Sequence, residues 1–298
     1  MKPDLYQTVT DKILADLERG VRPWQRPWSA GHAEGRISQP LRANGTPYRG
    51  INIVMLWSAA TAAGFGAPIW MTFKQALEFG GHVRRGEKGS LVVYADRITR
   101  TETDAESGEE TEHAIPFLKS YTVFNAEQID DLPERFRAPP PPPRLDPVQR
   151  IAHADAFFAA TGADIQFGGN MAAYNIADDR IAMPAIEFFR DAESYYATLA
   201  HEMTHWTRHP TRLDRDLGRQ RWGDAGYARE ELVAELGAAF LAAALDLAAE
   251  PREDHAAYLA SWIKVLREDK RAIFTAAAHA QRAADYLRAL QPGPSAVP

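Results

Sequence analysis

Residues 198–206 read Thr198-Leu199-Ala200-His201-Glu202-Met203-Thr204-His205-Trp206, and the spacing of the two histidines decides how the rest of the chain is read. On a helix, residues four apart lie on one face, so both imidazoles can reach a single metal ion. Glu202 is turned by about 100° from His201. There it can take a proton from a metal-bound water without being a ligand. Zinc suits this donor set and lowers the pKa of such a water towards about 7. Another divalent metal such as Mn2+ fits the same residues. Tyr195, Leu199, Ala200, Met203 and Trp206 give the helix an apolar body, which a buried site helix needs. The competing reading is two surface histidines on an amphipathic helix.

A third protein ligand is required. His209 extends the series to i+8, but on a continuous helix it sits about 12 Å from His201. Bonds of about 2.1 Å to one ion cannot span that. His209 reads instead as a helix-end residue favoured by the dipole. The better candidate lies in Arg229-Glu230-Glu231-Leu232-Val233-Ala234-Glu235. Carboxylates at i and i+4 on an Ala/Leu-rich helix are costly to bury without a purpose. The pattern resembles the gluzincin arrangement, in which a glutamate on a second helix binds zinc and an acid four residues later orients a ligand histidine. That resemblance makes Glu231 the ligand and Glu235 its outer partner, although gluzincins often have Asp at the latter position. The competing reading of these carboxylates is a solvated acidic helix face, and Glu230 can be simply a residue of such a face.

Upstream, the fold is expected to be α+β in two domains: residues 1–137, a proline-rich linker at 138–144, and a mostly helical domain with a small sheet at 145–290. The boundary rests on Pro139 to Pro143, five prolines that can form neither helix nor central strand. A chain of 298 residues is long enough for two cores. In the first domain Leu5, Val9, Ile13, Leu14 and Leu17 recur at helical spacing before Gly20. Thr72 and Gln75 form a capping box for a short helix. Strands are expected at Leu91–Thr99 and Ile115–Phe124, with the acidic segment Glu102–His113 as a loop or insert. In the second, Asp146-Pro147 opens a helix that ends near Gly162. Short strands follow near 165–167, 172–176 and 180–183, then helices at 192–209, 229–249 and 253–290, the last broken near Asp269.

The formal net charge of −6 is unevenly spread, because residues 1–100 hold 14 Lys+Arg against 8 Asp+Glu. Between Gly20 and Gly50 stand Arg22, Arg26, Arg36, Arg42 and Arg49 with one acid, Glu34, interleaved with Trp24, Trp28 and Tyr48. Arginines hold phosphates while aromatic faces stack on unpaired bases, a pairing suited to single strands. Arg84, Arg85 and Lys88 lie on a turn bounded by Gly86 and Gly89 and make a second phosphate contact. Alternatively the tryptophans anchor a core and the arginines face solvent. The chain has no cysteine, which excludes disulfides and thiolate zinc sites and suits a reducing cytoplasm. Its N-terminus lacks the apolar run of a signal peptide. The charge-free stretch Ile51 to Phe73 is interrupted by Gly64-Phe65-Gly66-Ala67-Pro68, which argues for a buried helix and a turn and against a membrane span.

Tyr6, Val9-Thr10, Ile13, Leu17-Glu18, Gly20, Pro23-Trp24 and Pro27-Trp28 resemble the N-terminal domain of ArdC-type antirestriction proteins. So do Pro47-Tyr48-Arg49-Gly50-Ile51-Asn52, Trp70-Met71-Thr72-Phe73-Lys74-Gln75 and Tyr121-Thr122-Val123-Phe124-Asn125. A related domain occurs in conjugative-plasmid primases. Tyr174, Ile181-Ala182-Met183-Pro184, Thr198 to Glu202 and His205-Trp206 resemble the zincin-type metallopeptidase domain that completes these proteins. The resemblance implies single-stranded DNA as a partner, a zinc metallopeptidase acting on an unidentified protein substrate, and protection of incoming plasmid DNA from restriction in the bacterial cytoplasm during conjugation. Two functions follow: a DNA-localised protease, or a non-enzymatic single-strand-binding protector whose metal site is structural or vestigial. Glu202 favours the first, since a structural site needs no base.

Overall fold

The computed structural model describes residues 4–25, 38–103, 110–136, 147–219, 221, 223–247 and 255–292. Arg26, Trp28, Asp146 and the proline run lie outside the described residues. Helix α1 (Leu5–Glu18) starts where the Asp4 carboxylate accepts the amides of Tyr6 and Gln7, and Gly20 at φ 77° follows its end. Strand β1 (Leu41–Arg42) precedes α2 (Ile51–Ala63), which stops at Gly64 in the left-handed conformation. The charge-free stretch is therefore a 13-residue helix with Ile51 to Ser58 buried, too short to span a bilayer. Among the described residues no helix is long and apolar enough to cross a membrane.

Strand β2 (Ile69–Met71) leads into α3 (Phe73–Glu78), held by the Thr72–Gln75 capping box. Then come β3 (His82–Val83), β4 (Ser90–Thr103), β5 (Glu110–Asn125) and β6 (Ile129–Asp130). The larger sheet has order β1-β2-β5-β4, and β3 pairs with β6. Half of the expected acidic loop, residues 102–103 and 110–113, is strand, with β4 and β5 in antiparallel register out to Thr103 opposite Glu110, and the rest of it lies outside the described residues.

The second half runs α4 (Pro147–Ala159), β7 (Asp164–Phe167), β8 (Ala173–Asn175), β9 (Arg180–Met183), α5 (Ala192–Trp206), α6 (Ala225–Ala244), α7 (His255–Glu268) and α8 (Ala272–Ala289). Its sheet has order β7-β9-β8, with β8 antiparallel to β9 at the edge. Helix α6 begins one turn before the sequence pattern does, because the Asp224 carboxylate accepts the Tyr227 amide at 2.7 Å and caps it there.

Both halves have the expected α+β make-up. The chain is long enough for two cores, and the larger of the two is shared between the halves. One main hydrophobic core contains Val9, Ile13, Leu17, Trp24 and Trp57 from the first half together with Phe240, Trp262, Ile273 and Ala277 from the second. Trp24 meets Trp262 edge-on at 6.0 Å, Trp57 meets Phe240 at 5.7 Å, and Tyr6 meets Phe274 at 4.8 Å. The Thr10 hydroxyl donates to the Lys270 carbonyl at 2.7 Å. The reason is that α1 and α2 have more apolar surface than the small N-terminal sheet can cover, and α7 and α8 supply the rest. A smaller core around Met71, Ala76, Ile129, Leu132 and Phe136 belongs to the first half alone.

Candidate metal centre

Helix α5 is buried from Thr198 to Thr207. Its histidines therefore point into protein, which excludes the surface-histidine reading. Helix α6 crosses close to it because residue 237 is glycine. A Cβ there would stand 2.5 Å from Thr204 Cγ2 and 2.6 Å from Thr204 Oγ1. This close approach brings Glu231 to the two histidines. His201 Nε2 and His205 Nε2 lie 3.1 Å apart. Glu231 Oε2 is 3.4 Å from the former, and Glu231 Oε1 is 3.5 Å from the latter.

Those separations provide a test of metal fit. Donors placed tetrahedrally at about 2.0–2.2 Å from one ion stand about 3.3–3.6 Å from each other. The histidine pair and the approach of a different Glu231 oxygen to each ring come within a few tenths of an ångström of that, and one donor atom from each of the three residues can be chosen so that all lie within 4.8 Å of one another. His201, His205 and Glu231 are the one such group of potential ligands found among the described residues. His209 is not in it. Helix α5 ends at Trp206, and the His209 ring accepts or donates at Thr211 Oγ1 instead, at 2.8 Å.

Each candidate ligand has an outer partner. His205 Nδ1 donates to Glu230 Oε1 at 3.0 Å. Glu235 Oε1 stands 3.3 Å from His201 Nδ1, close enough for charge attraction although the angle does not make a hydrogen bond. The Tyr227 hydroxyl, one turn before Glu231, faces that carboxylate and shares a 2.9 Å hydrogen bond with Tyr258. Glu202, buried beside the histidines, accepts the Tyr174 amide of edge strand β8 on Oε2 at 2.9 Å. Tyr174 and the end of α5 are tied together through Arg212. Its Nε donates to the Trp206 carbonyl, its Nη1 to Asp179 and its Nη2 to the Tyr174 hydroxyl, while its guanidinium lies 3.8 Å over the Trp206 ring. Burial, and then hydrogen bonding to Asp179, pushes the Tyr174 hydroxyl up to about 12.

The electrostatics suit a cation. Burial would raise Glu230, but hydrogen bonds from Arg215 and His205 bring it down to about 2. Burial likewise opposes the charge on Glu231, and the two histidines hold it far below the usual carboxylate range. For His205, burial acts downward and the facing Glu231 and Glu230 overcome it, pushing the imidazole up to about 10. Four buried carboxylates around two imidazoles thus retain positive charge in the pocket.

Glu230 is a correction to the sequence reading. It is buried and fully engaged by His205 and Arg215, because the helix start set by Asp224 turns it inward along with Glu231. Arg215, Tyr227 and Tyr174 were not foreseen. The available signal was a third carboxylate within six residues of one helix, one more than the gluzincin pattern uses.

The expected nucleic-acid residues separate into groups. Trp24 and Tyr48 are 1% and 2% exposed, so neither offers a face to a base. Trp24 is covered by Trp262, and the Arg42 guanidinium lies 5.0 Å over the Tyr48 ring. Arg22 is half-buried, and its pKa is lowered by desolvation. Arg49 is ion-paired with Asp285 of α8. Arg84 is bound by Glu87 at 2.8 Å and by Asp130. Arg85 and Lys88 are exposed. Arg26 and Trp28 lie outside the described residues. An aromatic the sequence reading did not select, Phe73, is 52% exposed. Its ring leans on Phe124 at 6.4 Å, and Gly89, next to Lys88, abuts the same Phe124 ring.

Comparison with known proteins places this chain in a family. The model of a zincin-like metallopeptidase matches residues 152–279, and that of the N-terminal domain of anti-restriction factor ArdC matches residues 3–124. The metal-free crystal structure of antirestriction ArdC protein from the R388 plasmid is similar, with TM-score 0.80 and 49% identity over 97% of this chain and 98% of that one. The Mn(II)-bound structure of the R388 protein gives TM-score 0.79 and 46% identity over 98% and 99%. The uncharacterized protein y4eC of Sinorhizobium fredii is 43% identical over 97% of this chain and 92% of its own length. A DNA primase TraC of Escherichia coli is 38% identical over 98% of this chain, which spans only 28% of that primase. The chain therefore belongs to the ArdC antirestriction family, with an ArdC N-terminal domain followed by a zincin-like metallopeptidase domain.

Proposed function

We propose that this protein is a metal-dependent peptidase localised by single-stranded DNA, acting in the protection of incoming plasmid DNA. The observation that carries the enzymatic part is the convergence of His201, His205 and Glu231, with Glu202 buried beside them. His201, His205 and Glu231 would hold a divalent ion, zinc or manganese, which would supply Lewis acidity towards a water and a scissile carbonyl. Glu202 takes the proton of the attacking water and delivers it to the leaving amine, as a positioned carboxylate does in general acid–base catalysis. The Tyr174 amide fixes the orientation of Glu202 by holding one of its oxygens. A metal held for structure alone has no use for a base at this position.

The DNA part rests on the surplus of positive charge in the first hundred residues and on one surface patch. Arg85, Lys88 and Lys74 are exposed; Lys74 follows Phe73 in the chain, and Lys88 precedes Gly89, which abuts the Phe124 ring that Phe73 leans on, so phosphate contacts can be paired with a stacking face. Arg22, Arg42, Arg26 and Trp28 extend this reading. Trp24 and Tyr48 have no part in it. The plasmid setting of the R388 relative and the primase context of TraC support the biological role.

The test is cleavage of an unfolded protein such as casein by the metal-loaded chain, with and without single-stranded DNA. Glu202→Ala is expected to abolish cleavage and to leave metal content and DNA binding intact. Loss of the metal from that variant would show that Glu202 is a ligand and overturn the assignment. Survival of antirestriction in the cleavage-dead variant would favour the alternative, a non-enzymatic protector.

A further inference from the structure

The loop after α5 doubles back on itself. Leu213 donates its amide to the Thr207 carbonyl at 3.0 Å, and Arg215 donates to the Arg208 carbonyl at 3.1 Å. Asp214 takes φ 44° between them. The reversal delivers the Arg215 side chain to the end of α5, where it is almost entirely buried. All three of its nitrogens find partners. Nη2 donates to Glu230 Oε1 at 2.7 Å and Nε to Glu230 Oε2 at 2.9 Å. Nη2 also donates to the Thr204 carbonyl at 2.9 Å, and Nη1 to Thr207 Oγ1 at 3.1 Å.

Glu230 Oε1 is also the acceptor of His205 Nδ1–H. The guanidinium thus grips both oxygens of the one carboxylate that orients His205. The grip fixes the carboxylate plane, the carboxylate fixes the imidazole, and the imidazole keeps Nε2 turned towards His201 and Glu231. A planar, two-pronged donor does this and a point charge does not. By reaching the Thr204 carbonyl, the same side chain also ties α6 to the last turn of α5.

We propose that Arg215 is a positioning residue of the metal centre, acting on His205 through Glu230 and thereby setting metal affinity. This inference rests on the metal-centre reading above. Nothing in it requires Arg215 to touch the metal or a substrate.

The experiment titrates Mn2+ and Zn2+ into the full-length chain, measures thermal stability in parallel, and records the visible spectrum of the Co2+ form. Wild-type protein is expected to bind one equivalent. If it binds none, the metal-centre reading itself fails, and this inference with it. Arg215→Leu is expected to bind about 10–100-fold more weakly, in line with losses of outer partners at other metal sites. Arg215→Lys keeps the charge and part of the capping but loses the two-pronged grip. It is expected to weaken binding by at least about 5-fold and to alter the Co2+ spectrum.

In a Glu230→Leu background, Arg215→Leu is expected to add little further loss of affinity, because its route to His205 is already gone. Full metal affinity in Arg215→Lys, with only a lowered melting temperature, would make Arg215 merely structural and overturn the proposal. An equal loss of affinity with and without Glu230 would overturn it too. Should Arg215→Leu fail to fold, the lysine variant decides the matter alone.

Discussion

At the scale of single residues, the centre assigns distinct tasks to four carboxylates packed near two histidines. Glu231 is placed between the two Nε2 atoms, whereas Glu235 stands behind His201 and Glu230 behind His205. Glu231→Ala is therefore expected to remove most bound metal, and Glu235→Ala to weaken binding by about 10–100-fold. Metal content after dialysis and a competition titration separate the two. The reverse order of losses would transfer the ligand role to Glu235. A second prediction concerns His279 on α8, half-buried and flanked by Arg282, with Arg215 and Glu230 also acting on it. Burial first, then the two arginines, lower its pKa to about 4. Between the ordinary histidine value of about 6.5 and that lowered value, the unfolded chain binds a proton that the folded chain does not. Stability is then complete above that window and is lost as pH falls through it. After solvent screening of a half-buried ring, the loss is about 1–2 kcal/mol. His279→Gln is expected to flatten this part of the stability–pH profile, and an unchanged slope in urea titrations from pH 7 to 4 would remove His279 as its source.

At the scale of elements, the centre depends on how closely α5 and α6 pack. Helical glycine costs about 1 kcal/mol relative to alanine, so Gly237→Ala on an unconstrained helix would stabilise the protein. Here the added methyl meets Thr204 at 2.5 Å. Helix α6 must retreat or Thr204 must shift, and such overpacking typically costs about 1–3 kcal/mol. Because Glu231 rides on α6 and the histidines on α5, the same retreat opens the triangle of donors. Gly237→Ala is expected to lower both melting temperature and metal affinity. A more stable variant with full affinity would show that the helices have room to spare. The Asp224 cap and the Arg212 and Arg215 contacts to the end of α5 serve the same alignment from either side.

At the scale of the molecule, the two halves are joined by a common core and not only by a proline linker. Trp24 follows α1 and is buried against Trp262, which stacks on Tyr258 at 6.1 Å, whose hydroxyl meets Tyr227 beside Glu231. Trp24→Ala is therefore expected to behave as a core truncation, costing about 3–5 kcal/mol of stability. Folded molecules of that variant should keep their affinity for single-stranded DNA. Denaturant melts and binding titrations on the same sample check both. A stable variant with weakened DNA binding would return Trp24 to the interface. The same packing means that residues 1–137 made alone should expose the apolar faces of α1 and α2, and so be less stable or associate.

Much of this protein was legible in the order of its residues. Local signals act over a few positions, so the Thr72–Gln75 box, the Gly64 stop, the strand runs and the break near Asp269 each placed an element correctly. The histidine pair was legible because four-residue spacing on a helix needs no knowledge of the rest of the fold. Glu231 and Glu235 could be picked out only by their likeness to a known pattern. What the sequence could not supply was which surfaces face each other. Trp24 and Tyr48 carry the same aromatic faces whether buried or free, and only the arrival of α7 over Trp24 and of Arg42 over Tyr48 decides between the two. Glu230 looked like one acid among several until the start of α6 turned it inward. Arg215 lies in a loop with no periodic pattern, and its partners 11 and 15 residues away meet it only because the chain reverses at Asp214. Short-range preferences are written residue by residue, whereas a buried ion pair or a shared core depends on distances between segments that only the completed packing defines.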